Sequence, residues 1–170
     1  MKLYEYEAKK ILKENTIPVP MGVVLGQYEG VNKISFPSKS VVLKAQVLTG
    51  GRGKAGGIRF ANSMEEFQDV FQKLLSIKIK DLPVKKVLIE EKLDIKSELY
   101  LGYSILRSEA KIFFMISGEG GMEIEELARD KPDAIIKYPI DILEGFEEYE
   151  IKKILKNFKF DERITSEIEN

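Results

Sequence analysis

Leu3, Tyr4, Ala8, Ile11 and Leu12 recur at helical spacing with charges between them. The pattern predicts a helix over residues 3–15, closed by Pro18 and Pro20. Residues 23–25 read as a short strand, and residues 26–38 as a loop or an irregular helix. The nearly unbroken apolar and β-branched run at 40–48 reads as a strand, and the shorter run at 58–61 as another. Ser63 and Glu66 have capping-box spacing at the head of a helix whose apolar stripe is Phe67, Val70, Phe71, Leu74 and Leu75. Beyond Pro83, Val87, Leu88 and Ile89 form the centre of a strand at 86–90. In residues 98–106, Leu99, Leu101, Tyr103 and Ile105 alternate with Glu98, Tyr100, Gly102 and Ser104. That segment pairs with residues 111–116 as a hairpin through Arg107-Ser108-Glu109-Ala110. A glycine-rich loop at 117–121 leads to a short helix over 123–129 and a strand over 134–139. A helix over 147–158 carries Ile151, Ile154, Leu155 and Phe158 on one face, and Asp161 caps a last helix.

Composition narrows the classes. A chain of 170 residues holds one domain or two small ones. With 44% hydrophobic and 32% charged residues it is globular, not disordered. A net charge of −1 gives no broad basic field, so neither nucleic acid nor a membrane surface is an expected partner. There is no cysteine, which removes disulfides, thiol catalysis and zinc–thiolate sites. There is no histidine either, so any phosphohistidine or histidine dyad must come from a partner. The first residues are too polar for a signal peptide, and no apolar run reaches membrane length. A cytoplasmic location is the expectation.

The densest chemical signal is Gly50-Gly51-Arg52-Gly53-Lys54-Ala55-Gly56-Gly57, between two predicted strands. Glycines let backbone N–H groups approach a ligand closely, and Arg52 and Lys54 add positive charge. Such a loop suits polyphosphate. A Walker A loop is excluded: Leu48 stands where its first glycine belongs and Ala55 where its hydroxyl belongs. Gly51-x-Gly53-x-x-Gly56 matches a dinucleotide fingerprint, but that needs a helix directly after it, and a strand is predicted there. A plain glycine-rich hairpin is the alternative. Lys44, inside an apolar strand, must either face solvent or meet an anion, because a buried unpaired ammonium is costly.

Six segments now carry a resemblance. They are Tyr4-Glu5-Tyr6-Glu7-Ala8-Lys9, Ile17-Pro18-Val19-Pro20, Leu43-Lys44-Ala45-Gln46-Val47, residues 50–57, Glu98-Leu99-Tyr100-Leu101-Gly102, and the run from Gly118 to Glu125. In this order they resemble the amino-terminal part of the β subunits of ADP-forming succinyl-CoA synthetases. Malate–CoA ligase β subunits are closely similar, and ATP citrate lyase more distantly. The resemblance implies an α+β, ATP-grasp fold: two subdomains with mixed or antiparallel sheets flanked by helices, holding ATP between them. Residues 21–92 would form the first subdomain, and 1–20 plus 93–170 the second, which these residues leave incomplete.

By resemblance, Lys44 and the loop residues Gly51, Arg52 and Gly53 bind nucleotide phosphates. Glu90 faces the adenine amino group, the Leu93 backbone contacts adenine, and Glu98 binds the ribose hydroxyls. Pro20 and the Lys-Ala-Gly-Gly ending of the loop favour ADP-forming members. The resemblance further implies ATP/ADP as ligand, Mg2+ for the full-length subunit with its ligands absent from these residues, and an α subunit carrying the phosphohistidine. On these grounds the chain is expected to be part of a succinate–CoA ligase and inactive alone. Ligation of malate or another acid, and a non-catalytic nucleotide-binding or assembly module, are the alternatives.

Overall fold

Residues 41–45 form an inner strand of a four-stranded antiparallel sheet. A computed structural model describes residues 2–29, 40–122, 124–143, 145–158, 160 and 162–169, in two units, Met1–Asp94 and Ile95–Asn170. The expected loop or irregular helix at 26–38 falls mostly outside the described residues, as does the Asp161 cap.

The first unit runs α1 (Glu5–Glu14), β1 (Gly22–Gly26), β2 (Val41–Ala45), β3 (Ile58–Ala61), α2 (Met64–Ser76), β4 (Lys78–Ile79), β5 (Leu82–Pro83) and β6 (Lys86–Glu91). Its main sheet has the order β1-β6-β2-β3. Side chains alternate between its faces. Val41, Leu43, Ala45, Val87 and Ile89 enter a core with Phe67, Phe71 and Leu74 of α2. The predicted apolar stripe of α2 therefore faces the sheet. Its cap is half of the expected box: the Ser63 hydroxyl accepts the Glu66 N–H at 3.1 Å, while the Glu66 carboxylate takes the Asn62 N–H at 2.7 Å.

The other face of β2 and β6 presents Val42, Lys44, Leu88 and Glu90. α1 lies on this face and turns its charged side inward. Its apolar positions Ile11 and Leu12 stay exposed, as does Leu3 just before it. The resemblance implies that residues 1–20 group with 93–170. In the structure they fall in the first unit, where Glu5 and Lys9 pair with charges on β2 and β6. Between α2 and β6, β4 and β5 form a two-residue-loop hairpin that the sequence pattern does not announce. Lys80 and Asp81 both have positive φ, 49° and 66°, as a tight primed turn requires.

The second unit runs β7 (Tyr100–Leu106), β8 (Lys111–Ser117), α3 (Ile124–Asp130), β9 (Ile136–Ile140), α4 (Glu148–Leu155) and α5 (Glu162–Glu169). The predicted hairpin forms, with Tyr103 opposite Phe114, and β9 adds to β8 to give the order β7-β8-β9. Phe114 and Ile116 pack with Ile154 and Leu155 of α4. The edge strand β7 leaves Tyr103 and Ile105 exposed, at 66% and 70%.

Candidate functional site

Register assembles the site before any ligand is considered. In the β2–β6 ladder Val42 is opposite Glu90 and Lys44 opposite Leu88. Lys44 and Glu90 are thus diagonal neighbours on one face, within reach of long side chains. Lys44 Nζ lies 2.8 Å from Glu90 Oε2. The Glu90 side chain is only 1% exposed, and Lys9 of α1 pairs with its other oxygen.

Glu5, one turn before Lys9, closes the group. Its Oε1 is 3.2 Å from both Lys9 Nζ and Lys44 Nζ, and its Oε2 is 2.8 Å from Arg52 Nη2. Arg52 is folded back from the glycine loop, and its Nη1 donates to the Ala45 carbonyl at 3.1 Å. Three cations therefore surround two carboxylates. Burial alone pushes the Glu5 carboxyl up, but the charges of Lys44, Arg52 and Lys9 outweigh it and hold the pKa at about 2, against an ordinary 4.5. For Lys44 burial pulls the pKa down, but the hydrogen bond to Glu90 and the charges of Glu5 and Glu90 prevail and raise it. Lys44 thus meets an anion, supplied by the chain itself.

Gln46, buried at the end of β2, fixes the start of α1. Its Oε1 accepts the Tyr6 N–H at 3.3 Å, one of the orphan donors of the first helical turn. Its Nε2 donates to the Lys44 carbonyl at 3.0 Å, so one side chain ties helix and strand together.

The glycine loop joins β2 to β3 and no helix follows it, so the dinucleotide fingerprint is accidental. Ala55, Gly56 and Gly57 spend their N–H groups on the carbonyls of Gly51, Gly53 and Arg52. Among the described residues, the N–H groups of Arg52 and Gly53 donate to no backbone carbonyl. Gly57 has no room for a side chain: a Cβ there would stand 2.5 Å from Ile79 Cδ1 and 3.0 Å from the Arg52 carbonyl oxygen. The β4–β5 hairpin is the wall it presses on.

Beside Glu90 an open hollow of about 240 Å³ has Tyr6, Lys9 and Lys13 of α1 on one side and Pro20, Val24 and Leu88 on the other. Leu93, half exposed, follows β6 in the same unit. Glu98 belongs to the second unit, where its carbonyl accepts the Gly120 N–H at 2.8 Å. A Cβ on Gly120 would come within 2.7 Å of the Glu98 backbone, so that loop closes tightly on it. Lys44, Arg52 and Glu90 are brought together, with Gly51 and Gly53 on the same loop as Arg52.

Residues 2–170 match the ATP-grasp domain family. The chain belongs to that family. This ATP-grasp chain is 46% identical to the β subunit of ADP-forming succinate–CoA ligase from Methanocaldococcus jannaschii over 159 residues, which is 94% of this chain and 43% of that protein. It is 43% identical to the β subunit of GDP-forming succinate–CoA ligase from Thermus thermophilus over 157 residues, 92% of this chain and 42% of that protein. It thus spans less than half the length of these relatives. The structure of ATP citrate lyase from Methanothrix soehngenii, in complex with citrate and coenzyme A, has a TM-score of 0.64 at 19% identity, over 85% of this chain and 36% of that one. That likeness is one of fold. The resemblance drawn from the six segments, and the ATP-grasp fold it implied, therefore stand.

A divalent cation does not fit this ATP-grasp site as built. The Glu5 and Glu90 carboxylates already face ammonium and guanidinium groups, and no group of three or more possible metal ligands occurs among the described residues. No helix among them is long and apolar enough to cross a membrane. The residues that sequence reasoning missed are Glu5, Lys9 and Gln46. All three lie in the segments that carry the resemblance, and the i, i+4 spacing of Glu5 and Lys9 on a helix was the available signal.

Proposed function

We propose that this chain is the nucleotide-binding part of the β subunit of an ADP-forming succinate–CoA ligase. Such an enzyme converts succinate, CoA and ATP to succinyl-CoA, ADP and phosphate, through a phosphohistidine on its α subunit. The observation that carries the reading is the cluster of Lys44, Arg52, Glu5 and Glu90, of which Glu90 also lines a hollow together with Pro20 and Leu88. Two fixed cations beside a partly apolar recess suit a ligand with a flat base at one end and phosphates at the other.

In this reading Lys44 and Arg52 neutralise the phosphates, and the N–H groups of Arg52 and Gly53 donate to them; Gly51 lets the loop approach. These are positioning and electrostatic roles. Glu90 sits beside the base recess. A carboxylate only accepts hydrogen bonds, so it welcomes the adenine amino group and opposes the carbonyl oxygen of guanine. This favours ATP over GTP. The Leu93 backbone would contact the base edge, and Glu98 would accept from the ribose hydroxyls. In this reading Mg2+ accompanies the nucleotide in the full-length subunit, with its ligands outside these residues. An α subunit as partner and succinate as the acid follow from the relatives being β subunits of succinate–CoA ligases, and malate remains the rival acid.

Calorimetric titration of the chain with ATP and with GTP tests the site. Saturable ATP binding, weaker for GTP and reduced in Arg52→Ala, is expected; absence of ATP binding would overturn the reading. Ligation is then tested with the full-length β subunit and the α subunit encoded in the same genome, given ATP, CoA and either succinate or malate, through thioester formation.

A further inference from the structure

Glu5 has no role in the nucleotide reading, yet it occupies the centre of the site. Its two oxygens reach Lys44 and Arg52, the same two cations assigned to phosphate. Arg52 is anchored through Nη1 on the Ala45 carbonyl and turns Nη2 toward Glu5. A carboxylate resembles a phosphate edge in what matters here: negative charge and acceptor-only oxygens.

We propose that Glu5 is the internal counter-anion of the phosphate site and sets its selectivity for polyphosphates. The proposal rests on the nucleotide reading. Glu5 is tethered beside the cations, so it competes at high effective concentration. A singly charged or small anion gains little by replacing it. A polyphosphate brings more charge and more acceptors and displaces it. The contact is built to exchange. Glu5 Oε2 is buried 2.8 Å from Arg52 Nη2 but has no aligned hydrogen-bond partner among the described residues, so charge holds it rather than hydrogen-bond geometry. Lys9, one turn along α1, keeps Glu5 paired once Lys44 and Arg52 turn to the ligand. The sequence left Lys44 to face solvent or an anion; in the structure it meets Glu90 and Glu5, and Glu5 is the placeholder.

The test is calorimetric titration of the 170-residue chain and of Glu5→Gln with inorganic tripolyphosphate, inorganic phosphate, ATP and adenosine at one ionic strength. Loss of the tethered competitor is expected to tighten tripolyphosphate and ATP about tenfold, and inorganic phosphate, which gains little by replacing it, by more. Adenosine should be unchanged, and the preference for tripolyphosphate over phosphate should shrink. A purely structural role for Glu5 predicts the opposite sign. Equal or weaker tripolyphosphate binding in Glu5→Gln overturns the proposal, as does failure of either protein to bind it. Tighter tripolyphosphate binding with no ATP binding in any variant keeps the proposal and removes the nucleotide reading. Should Glu5→Gln not fold, Glu5→Asp withdraws the carboxylate from Arg52 and is expected to shift binding in the same direction by less. No shift there counts against the proposal.

Discussion

Glu5 Oε2 lies 2.8 Å from Arg52 Nη2, which joins the first turn of α1 to the glycine-rich loop. Helix and loop are thus held by the same carboxylate, and its protonation should be read out in stability. The folded state keeps Glu5 ionised down to about pH 2, whereas the unfolded chain protonates it near 4.5. Between those values the unfolded state binds more protons, so stability falls as pH falls through that window. The contribution is on the order of 2 kcal/mol near neutrality, discounted for partial exposure. Glu5→Gln is expected to lower the melting temperature at pH 7 and to approach the parent protein as pH drops toward 2. A constant difference across pH 2–7 would count against the pairing.

Removing a cation should cost more than removing the buried anion. Lys44→Ala leaves the Glu90 carboxylate, 1% exposed, with Lys9 as its one described ion-pair partner. A loss of about 2–4 kcal/mol is expected in urea unfolding. Glu90→Gln keeps the shape and takes away the buried charge, while Lys9 and Lys44 can turn to Glu5 or solvent. It should cost less than Lys44→Ala. The reverse order would show that Glu90 is held by something other than these two lysines.

Gly57→Ala places a methyl against Ile79 Cδ1 and the Arg52 carbonyl. Overpacking of this kind costs about 1–3 kcal/mol. Ile79→Val deletes the clashing Cδ1, so a double-mutant cycle should show favourable coupling between the two changes. Additive losses would place the strain at the Arg52 carbonyl alone.

The β7 edge exposes Leu101, Tyr103 and Ile105 along one row. Exposed apolar edge strands invite pairing with other chains. Concentration-dependent self-association is expected in analytical ultracentrifugation, and Ile105→Lys should reduce it without lowering the melting temperature. Unaltered association in that variant would move the contact elsewhere.

Much of the fold could be read from pattern, and the reasons are local. The stripe from Phe67 to Leu75 and the alternation from Leu99 to Ile105 report burial at periods that belong to a helix and a strand. The glycine loop's strand-to-strand connection followed from the apolar residue Ile58 directly after Gly57. Other features depend on partners distant in sequence. α1 looked like a helix with an apolar face to bury, but the sheet face it covers carries Lys44 and Glu90, so its charged side turns inward. Nothing near Glu5 marks it as the partner of Arg52. The β4–β5 turn lacks an Asn-Gly signal, and Lys80 and Asp81 are held at positive φ while Ile79 plugs the core under Gly57.

Lys44 has one more consequence. Along β2 the residues at 41, 43 and 45 share a core with the aromatic rings of α2, while Lys44 on the other face pairs with Glu5 of α1. A slip of one position would drive an ammonium among Phe67, Phe71 and Leu74, with no carboxylate to receive it. The wrong alignment is therefore disfavoured by the same residue proposed to grip phosphate. Replacing it with leucine should relax that check, so that refolding yields a mixture of strand alignments even where the native sheet still forms.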